Sequence, residues 1–379
     1  MIDHMSDLPP ASHRTSFVRK IARAMRERCG VRKGDSILLA VSGGADSVAL
    51  AHAVAAVRSQ SRWRLDVGIA HVHHGLRDQA DADARFVADL AGRLDLPLER
   101  EDVTVDREGN VEAAARRARL EALGRMAERF RATFVATAHH GDDQLETVLM
   151  RLLRGTSAKG LGAMAWHRPL PVKLPTAHLP QGEDGGPRLR LTTDPRPVER
   201  VRLIRPMLAV DHEQACDFLR TIDQPWREDH TNRDTTRWRA KLRAQVLPVL
   251  KEMRPTAAAR SVELADHLRD VSQLVHDSAQ VLRAQIVSVA EPGKLFVFDR
   301  AAGAAARDCV LIEMMRDMLA ELGVSADRVT RRKLDPVRRV MRDRRGRSRH
   351  FDFGRRVEIQ VREGLVTLIR WSDAPSSEA

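Results

Sequence analysis

The chain has 379 residues, 43% hydrophobic and 31% charged, with a formal net charge of +12; this is a soluble globular composition, long enough for two or three domains. No run approaches the ~18 uninterrupted apolar residues of a membrane span, and the N-terminal "MIDHMSDLPPASHR" has no apolar signal core, so the chain reads as cytoplasmic with no membrane partner. Cys29, Cys216 and Cys309 lie far apart without a C-x-x-C pair, which argues against a disulfide framework, a structural zinc site or a Cys-ligated iron–sulfur cluster.

In chain order, residues 17 to 165 alternate helical and strand patterns. Ser16 to Arg28 predicts a helix, Ile37 to Val41 a buried strand and Ser47 to Val57 a helix. The strand-like "RLDVGIAHVH" (Arg64 to His73) precedes a helix from about Asp78 to Leu94. A short strand from Leu98 to Val103, a helix from Val111 to Phe130, a strand from Thr133 to His139 and a helix from Asp142 to Arg154 complete the series. This alternation predicts an α/β fold, a Rossmann-like parallel sheet with helices on both faces. Ligands of such sheets bind beyond the carboxyl ends of the strands, where the polar clusters of this chain fall.

Residues 168 to 200 are rich in Pro and Gly and read as a mobile insertion that closes a first domain of residues 17–210. A mainly helical domain, 211–324, follows, containing the β-like "KLFVFD" and a helix from Ala305 to Leu322. Residues 325–371 read as a small basic α/β module with a strand pair at Arg356–Val361 and Leu365–Arg370, and 372–379 as a disordered tail. The run Arg331 to Arg356 holds twelve basic residues against three acidic. It is either a solvated charged face or a polyanion-docking surface, which would make binding salt-dependent. The net positive charge has the same two readings, a polyanionic partner or an arginine-rich composition.

The turn Ser42-Gly43-Gly44-Ala45-Asp46-Ser47 joins a buried strand to a helix N-terminus. Two glycines let backbone N–H groups point inward, the helix contributes its positive end, and Ser42 and Ser47 add hydroxyls; together these make a phosphate cradle. Neither a Walker lysine nor a G-x-G-x-x-G pattern is present. The alternative is an ordinary βα turn with Asp46 near the helix start. Asp143 and Glu146 are three apart at a helix start and share one face. They can hold Mg²⁺ or an ammonium group, or serve as acids favoured by the helix dipole. Glu112, Arg116 and Arg119 also share a face: the arginines can clamp phosphate, or Glu112 and Arg116 can form a helical ion pair. His71 and His73, at one strand end, and His139 and His140, at another, lack a fourth-ligand pattern and predict no zinc site.

"SGGADS" resembles the pyrophosphatase loop of the N-type ATP pyrophosphatases, which bind ATP and release pyrophosphate while adenylating a substrate. With "HVHHGLR" (His71 to Arg77), "NVEAAARRARLEAL" (Asn110 to Leu123), "TAHHGDDQLETVLMRLLRGTSAKGLGAM" (Thr137 to Met164) and "RPML" (Arg205 to Leu208), the chain closely resembles the tRNA(Ile)-lysidine synthetase family. The resemblance is dense from about Ser36 to Pro255 and weaker through 329–369. It implies adenylation of the wobble cytidine in the CAU anticodon of tRNA(Ile), then attack by the ε-amine of free L-lysine, with ATP and Mg²⁺ required. It implies that Ser42, Gly43, Gly44, Ala45, Asp46, Ser47, His71 and His139 bind ATP, with Asp46 on the metal. Asp143 and Glu146 would bind lysine, and Asp46, Arg116, Asp143 and Glu146 would carry the catalysis. Arg119, Arg205, Arg239, Arg243, Arg344 and Arg345 would contact tRNA, and the family implies a possible homodimer. A second signature matches at Asp229, Thr231, Asn232, Asp234, Arg239 and Arg243, but Ala240 stands where the family usually has Asn. The rival readings are a thiolase with the same loop, which usually needs a catalytic cysteine pair, and a non-catalytic RNA-binding protein on the same fold, which would have lost the site acids.

Overall fold

The computed structural model describes residues 15–73, 80–104, 111–170, 201–227, 238–325, 328–343, 348–354 and 356–371. The expected insertion, apart from residues 168–170, and the tail at 372–379 lie outside these residues. So do positions 74–77, the 229–234 signature, Arg344 and Arg345. The chain divides into two compact units, Met1–Asp266 and His267–Ala379.

The first unit opens with α1 (Ser16–Glu27), whose Thr15 cap accepts from the Val18 N–H at 3.2 Å. Strand β1 (Ser36–Ala40) is apolar and buried. It leads into α2 (Ala45–Arg58), which is buried almost all round; its run of Ala and Val suits a helix packed on several sides. There follow β2 (Asp66–His73), α3 (Ala80–Arg93), β3 (Leu98–Asp102), α4 (Val111–Phe130), β4 (Phe134–Ala136) and α5 (Gly141–Arg154). After them come α6 (Ala158–Leu161), β5 (His167–Pro169), β6 (Arg202–Ile204), a 3₁₀ turn over Pro206–Ala209 and α7 (His212–Thr221). The unit closes with α8 (Trp238–Lys241), a π turn over Leu242–Val246, α9 (Leu247–Met253) and the start of α10 (Ala257–Ile286).

The six-stranded sheet has the order β3-β2-β1-β4-β6-β5. It is parallel except for the β5–β6 pair. This is the expected α/β architecture, with the order reversing between β1 and β4, where ligands of open α/β sheets bind. One strand is shorter than its pattern predicts: Thr133–His139 forms a ladder only over Phe134–Ala136. The chain leaves the sheet there because His140 takes the N-cap position of α5. At Gly68 on β2, an added Cβ would come within 2.6 Å of the Phe130 ring at the end of α4. Gly68→Val should therefore destabilise the unit by about 1–3 kcal/mol through overpacking, read as a fall in the thermal midpoint; an unchanged midpoint would contradict this packing.

The second unit is a five-stranded antiparallel sheet ordered β7 (Val287–Glu291), β8 (Leu295–Asp299), β11 (Leu365–Arg370), β10 (Val357–Val361) and β9 (Arg349–Gly354). Its helices are α11 (Arg300–Ala305), α12 (Asp308–Glu321) and α13 (Arg331–Met341). The helix expected from Ala305 to Leu322 is α12, which starts three residues later because Ala306 and Arg307 are extended, and the short α11 before it is unexpected. Phe296, Phe298 and Phe353 centre the core. Arg300 is buried and donates to the Met341, Val340 and Asp343 carbonyls at 3.0, 2.6 and 2.8 Å, satisfying the open end of α13. Helix α13 buries Leu334, Val337 and Met341 and exposes Arg331, Arg332, Lys333 and Arg339.

Candidate active site

The loop after β1 folds on its own hydroxyls. Ser47 Oγ donates to the Gly44 carbonyl at 2.9 Å and accepts from the Ser42 N–H at 3.2 Å. Gly44 caps α2, leaving the first N–H groups of a 14-residue helix facing the loop. Gly43 has φ +91°, a conformation that glycine adopts without strain. The Arg227 side chain lies over Gly43, and its N–H donates to the Gly43 carbonyl at 3.0 Å. Its guanidinium reaches Asp83 at 3.0 Å. The strand–turn–helix expected around Ser42–Ser47 is present.

Asp46, on the first turn of α2, meets two histidines. His212 Nδ1, at the start of α7, lies 2.8 Å from its Oδ1, and His140 Nε2 lies 3.5 Å from its Oδ2. Burial would raise the Asp46 carboxyl, but hydrogen bonds and charge from His140 and His212 hold it well below the usual range. Burial would lower His140, but Asp143, Asp46 and Asp142 around it raise it to about 9. His140 therefore stabilises the fold fully below its ordinary 6.5, and this contribution fades as pH rises through about 9. The carboxylates behave oppositely, losing theirs as pH falls below their ordinary range. Wild-type chain should lose stability to denaturant between pH 6.5 and 9, and His140→Gln should flatten that limb; an unchanged slope in the variant would contradict the assignment.

Helix α5 carries both expected acids. Asp143 Oδ2 accepts from the His140 N–H at 3.2 Å, so this carboxylate also caps the helix. Glu146 is fully buried. Both acids are engaged by Arg239 on α8 and by Arg243. Arg239 reaches Glu146 Oε2 at 2.8 Å and Asp143 Oδ1 at 3.3 Å; Arg243 reaches Glu146 Oε1 at 2.5 Å and Asp143 Oδ1 at 2.8 Å. Burial would raise Asp143, yet His140, His139, Arg243 and Arg239 keep it lowered. Two residues expected on RNA thus meet two residues expected on lysine. Asp142 accepts from the His212 N–H at 3.0 Å and forms an ion pair with Lys251 at 3.3 Å, tying α5 to α7 and α9.

The remaining expected residues divide. His71 is buried, and its Nδ1 donates to the Val41 carbonyl at 2.9 Å, leaving Nε2 as an acceptor beside the loop's strand. Burial lowers its pKa. His139 hydrogen-bonds Thr137 Oγ1 at 2.9 Å, and burial, helped by Arg205, Arg119 and Arg116 against Asp143, holds it down to about 3, a neutral ring. Arg116 is exposed and Arg119 half-buried on α4. Repulsion from Arg116 adds to burial in lowering Arg119, Arg151 and Arg168, marking a concentration of positive charge. Arg205 does not reach solvent: it is buried, and Nη1 donates to the Ala165 carbonyl at 2.6 Å, because β6 lies within the sheet next to β4. His212 and Arg227 escaped sequence reading; only a polar residue following "RPML" and a basic one opening the 227–243 segment marked them.

Asp46, His140 and His212 bring their possible ligand atoms within 4.8 Å of one another, and of the three only Asp46 offers oxygen. Mg²⁺ takes one or two carboxylates with phosphate oxygens and water; Asp46, held ionised beside the cradle, fits that role, whereas His140 and His212 offer nitrogen. The Asp46 carboxylate thus fits Mg²⁺, and the two imidazoles do not.

Residues 13–250 match a family model described as a PP-loop domain. Among curated relatives, a tRNA(Ile)-lysidine synthase of Symbiobacterium thermophilum is 35% identical over 248 residues, covering 64% of this chain and 45% of that protein. The one from Geobacter sulfurreducens is 34% identical over 283 residues, covering 73% and 53%. The chain thus spans about half the length of these two relatives. It covers 83% of the one from Nostoc sp., at 27% identity over 84% of this chain. A solved U34-tRNA thiolase from Methanococcus maripaludis with its [4Fe-4S] cluster has a similar fold, at TM-score 0.51 and 13% identity, covering 68% of this chain and 78% of that one. No helix among the described residues is long and apolar enough to cross a membrane.

Proposed function

The chain belongs to the PP-loop family, and from that premise we propose that it is a carbon–nitrogen-bond-forming ligase that attaches lysine to the wobble cytidine of a CAU-anticodon isoleucine tRNA. The cytidine carbonyl oxygen at C2 attacks the α-phosphorus of ATP, and pyrophosphate leaves. The ε-amine of lysine then attacks C2, the C2–O bond breaks with AMP as leaving group, and the amine proton is released. The product pairs with A, so the tRNA reads AUA in place of AUG.

The observation that carries this reading is the phosphate cradle at the β1–α2 turn beside a buried acid pair at the start of α5. Ser42, Gly43, Gly44, Ala45 and Ser47 seat the phosphates with backbone N–H groups and hydroxyls. Asp46 would hold Mg²⁺, which when bound offsets charge on the departing pyrophosphate. Neutral His71 and His139 can accept or donate hydrogen bonds to the nucleotide without adding charge. Exposed Arg116 and half-buried Arg119 face polyanion, and Asp143 and Glu146 supply two negative charges for an ammonium group. An anticodon base is already unpaired and can enter without melting a duplex. In the second unit, taken by itself, the exposed basic face of α13 is a further candidate RNA contact, and Arg344 and Arg345 are proposed as RNA contacts from the sequence alone. Arg205 is left out of these contacts because it is interior.

The thiolase reading lacks its nucleophile in the first unit. Burial raises the Cys29 thiol to about 12, and burial and the nearby Asp46 raise Cys216, so neither supplies a thiolate at neutral pH. The non-catalytic reading conflicts with the retained Asp46, Asp143 and Glu146. The test separates the two steps: α-labelled ATP and the isoleucine transcript, without lysine, should give pyrophosphate and AMP-linked RNA, which added lysine converts to free AMP. Labelled lysyl-adenylate forming instead, without RNA, would overturn the order of attack.

A further inference from the structure

The acid pair that the proposed function gives to lysine is occupied by the chain itself. Every oxygen of the two carboxylates has a donor: Asp143 Oδ1 takes both guanidiniums, Asp143 Oδ2 takes the His140 N–H, and the Glu146 oxygens take one guanidinium Nε each. Two arginines already balance two carboxylates, and His140 adds positive charge at Asp143. An ammonium group entering beside them would meet two like charges and two carboxylates whose charge is already balanced. The guanidiniums differ from the acids in access. Glu146 is wholly buried, whereas the Arg239 and Arg243 side chains are 41% and 46% exposed. A polyanion arriving from solvent reaches the arginines and not the acids.

We propose that Arg239 and Arg243 fill the ammonium subsite in the free chain and that phosphates of bound RNA draw them out, so that lysine binding is conditional on RNA binding. The inference rests on the lysine-ligase reading above. Guanidinium pairs as well with phosphate as with carboxylate, in the same bidentate geometry, so the exchange trades like for like. It frees both Glu146 oxygens and Asp143 Oδ1 for one ammonium group, while Asp143 Oδ2 keeps the His140 N–H. Coupling of this kind is reciprocal: whatever factor RNA adds to lysine affinity, lysine adds to RNA affinity. Its value to the enzyme is order, since lysine is admitted only when an acceptor base is present.

The test is equilibrium dialysis of radiolabelled lysine against the full-length chain with α,β-methylene-ATP, with and without the isoleucine transcript. Wild type should bind lysine at least about tenfold more tightly with RNA, a coupling of about 1.4 kcal/mol. Arg239→Gln with Arg243→Gln should bind lysine without RNA about as tightly as wild type binds it with RNA. Equal wild-type affinity in both conditions, or a double variant that still needs RNA, overturns the inference. Lysine transfer assayed on the same wild-type preparation separates the two failures: transfer with RNA-independent binding removes only the occupancy by arginine, whereas no transfer and no binding in any condition removes the ligase reading itself. If the double variant does not fold, wild type answers through its arginine Nε–H resonances. Two protected signals, assigned to Arg239 and Arg243, should be present in the free chain and lose protection with RNA; protection that persists in the complex overturns the inference.

Discussion

Glu146→Gln should reduce kcat/KM for lysine by roughly 30-fold to several-thousand-fold, the effect of removing one charged partner worth about 2–5 kcal/mol in a buried pair. RNA-dependent pyrophosphate release should stay within about threefold of wild type, because the cradle after β1 is untouched. The side chain is isosteric and fully buried, so packing changes little and the loss reports charge. Arg239 and Arg243 keep Asp143 as a partner and are partly solvated, which limits the structural damage. The measurement is steady-state lysine transfer to the transcript at varied lysine, beside pyrophosphate release without lysine. An unchanged lysine dependence would remove Glu146 from the ammonium subsite.

Asp46→Asn should act on the other half-reaction. Its carboxylate is the oxygen donor proposed for Mg²⁺ beside the proposed phosphate seat, and it also meets His212 at 2.8 Å and helps keep His140 protonated. Losing a group aimed at charge that develops in the transition state costs on the order of 100- to 1,000-fold in rate. Pyrophosphate release should fall by that amount, with the lysine dependence of the residual activity unaltered. The His140 ring should also titrate closer to its ordinary range, visible by NMR in the free chain without any turnover. Wild-type rates, or a His140 that still titrates near 9, would contradict the role given to Asp46.

What the sequence discloses here follows from how local each feature is. The β1 strand, the Ser42–Ser47 turn and α4 are written in contiguous residues, and the structure places them within a residue or two of their patterns. The shared face of Asp143 and Glu146 follows from helical spacing. The partners of these residues do not, because they come from far along the chain: His212 meets Asp46 across 166 residues, and Arg243 meets Asp143 across 100. Arg239 and Arg243 are expected on RNA from the family resemblance, and nothing in their local pattern says that the chain folds them onto its own acids. Arg205 is expected on tRNA from the same resemblance, through "RPML", and the position of β6 inside the sheet buries it. Strands β5 and β6 have three residues each, too few for alternation to register.

The most direct measurement of the central claim is incorporation of radiolabelled lysine, with ATP and Mg²⁺, into an isoleucine tRNA transcript bearing CAU, beside a methionine tRNA with the same anticodon. Label that needs ATP, enters only the isoleucine tRNA, resides in the first anticodon nucleoside and is lost in Asp143→Asn is the result this account predicts. No label in either tRNA, under conditions where the wild-type chain binds both ATP and the transcript, would contradict it.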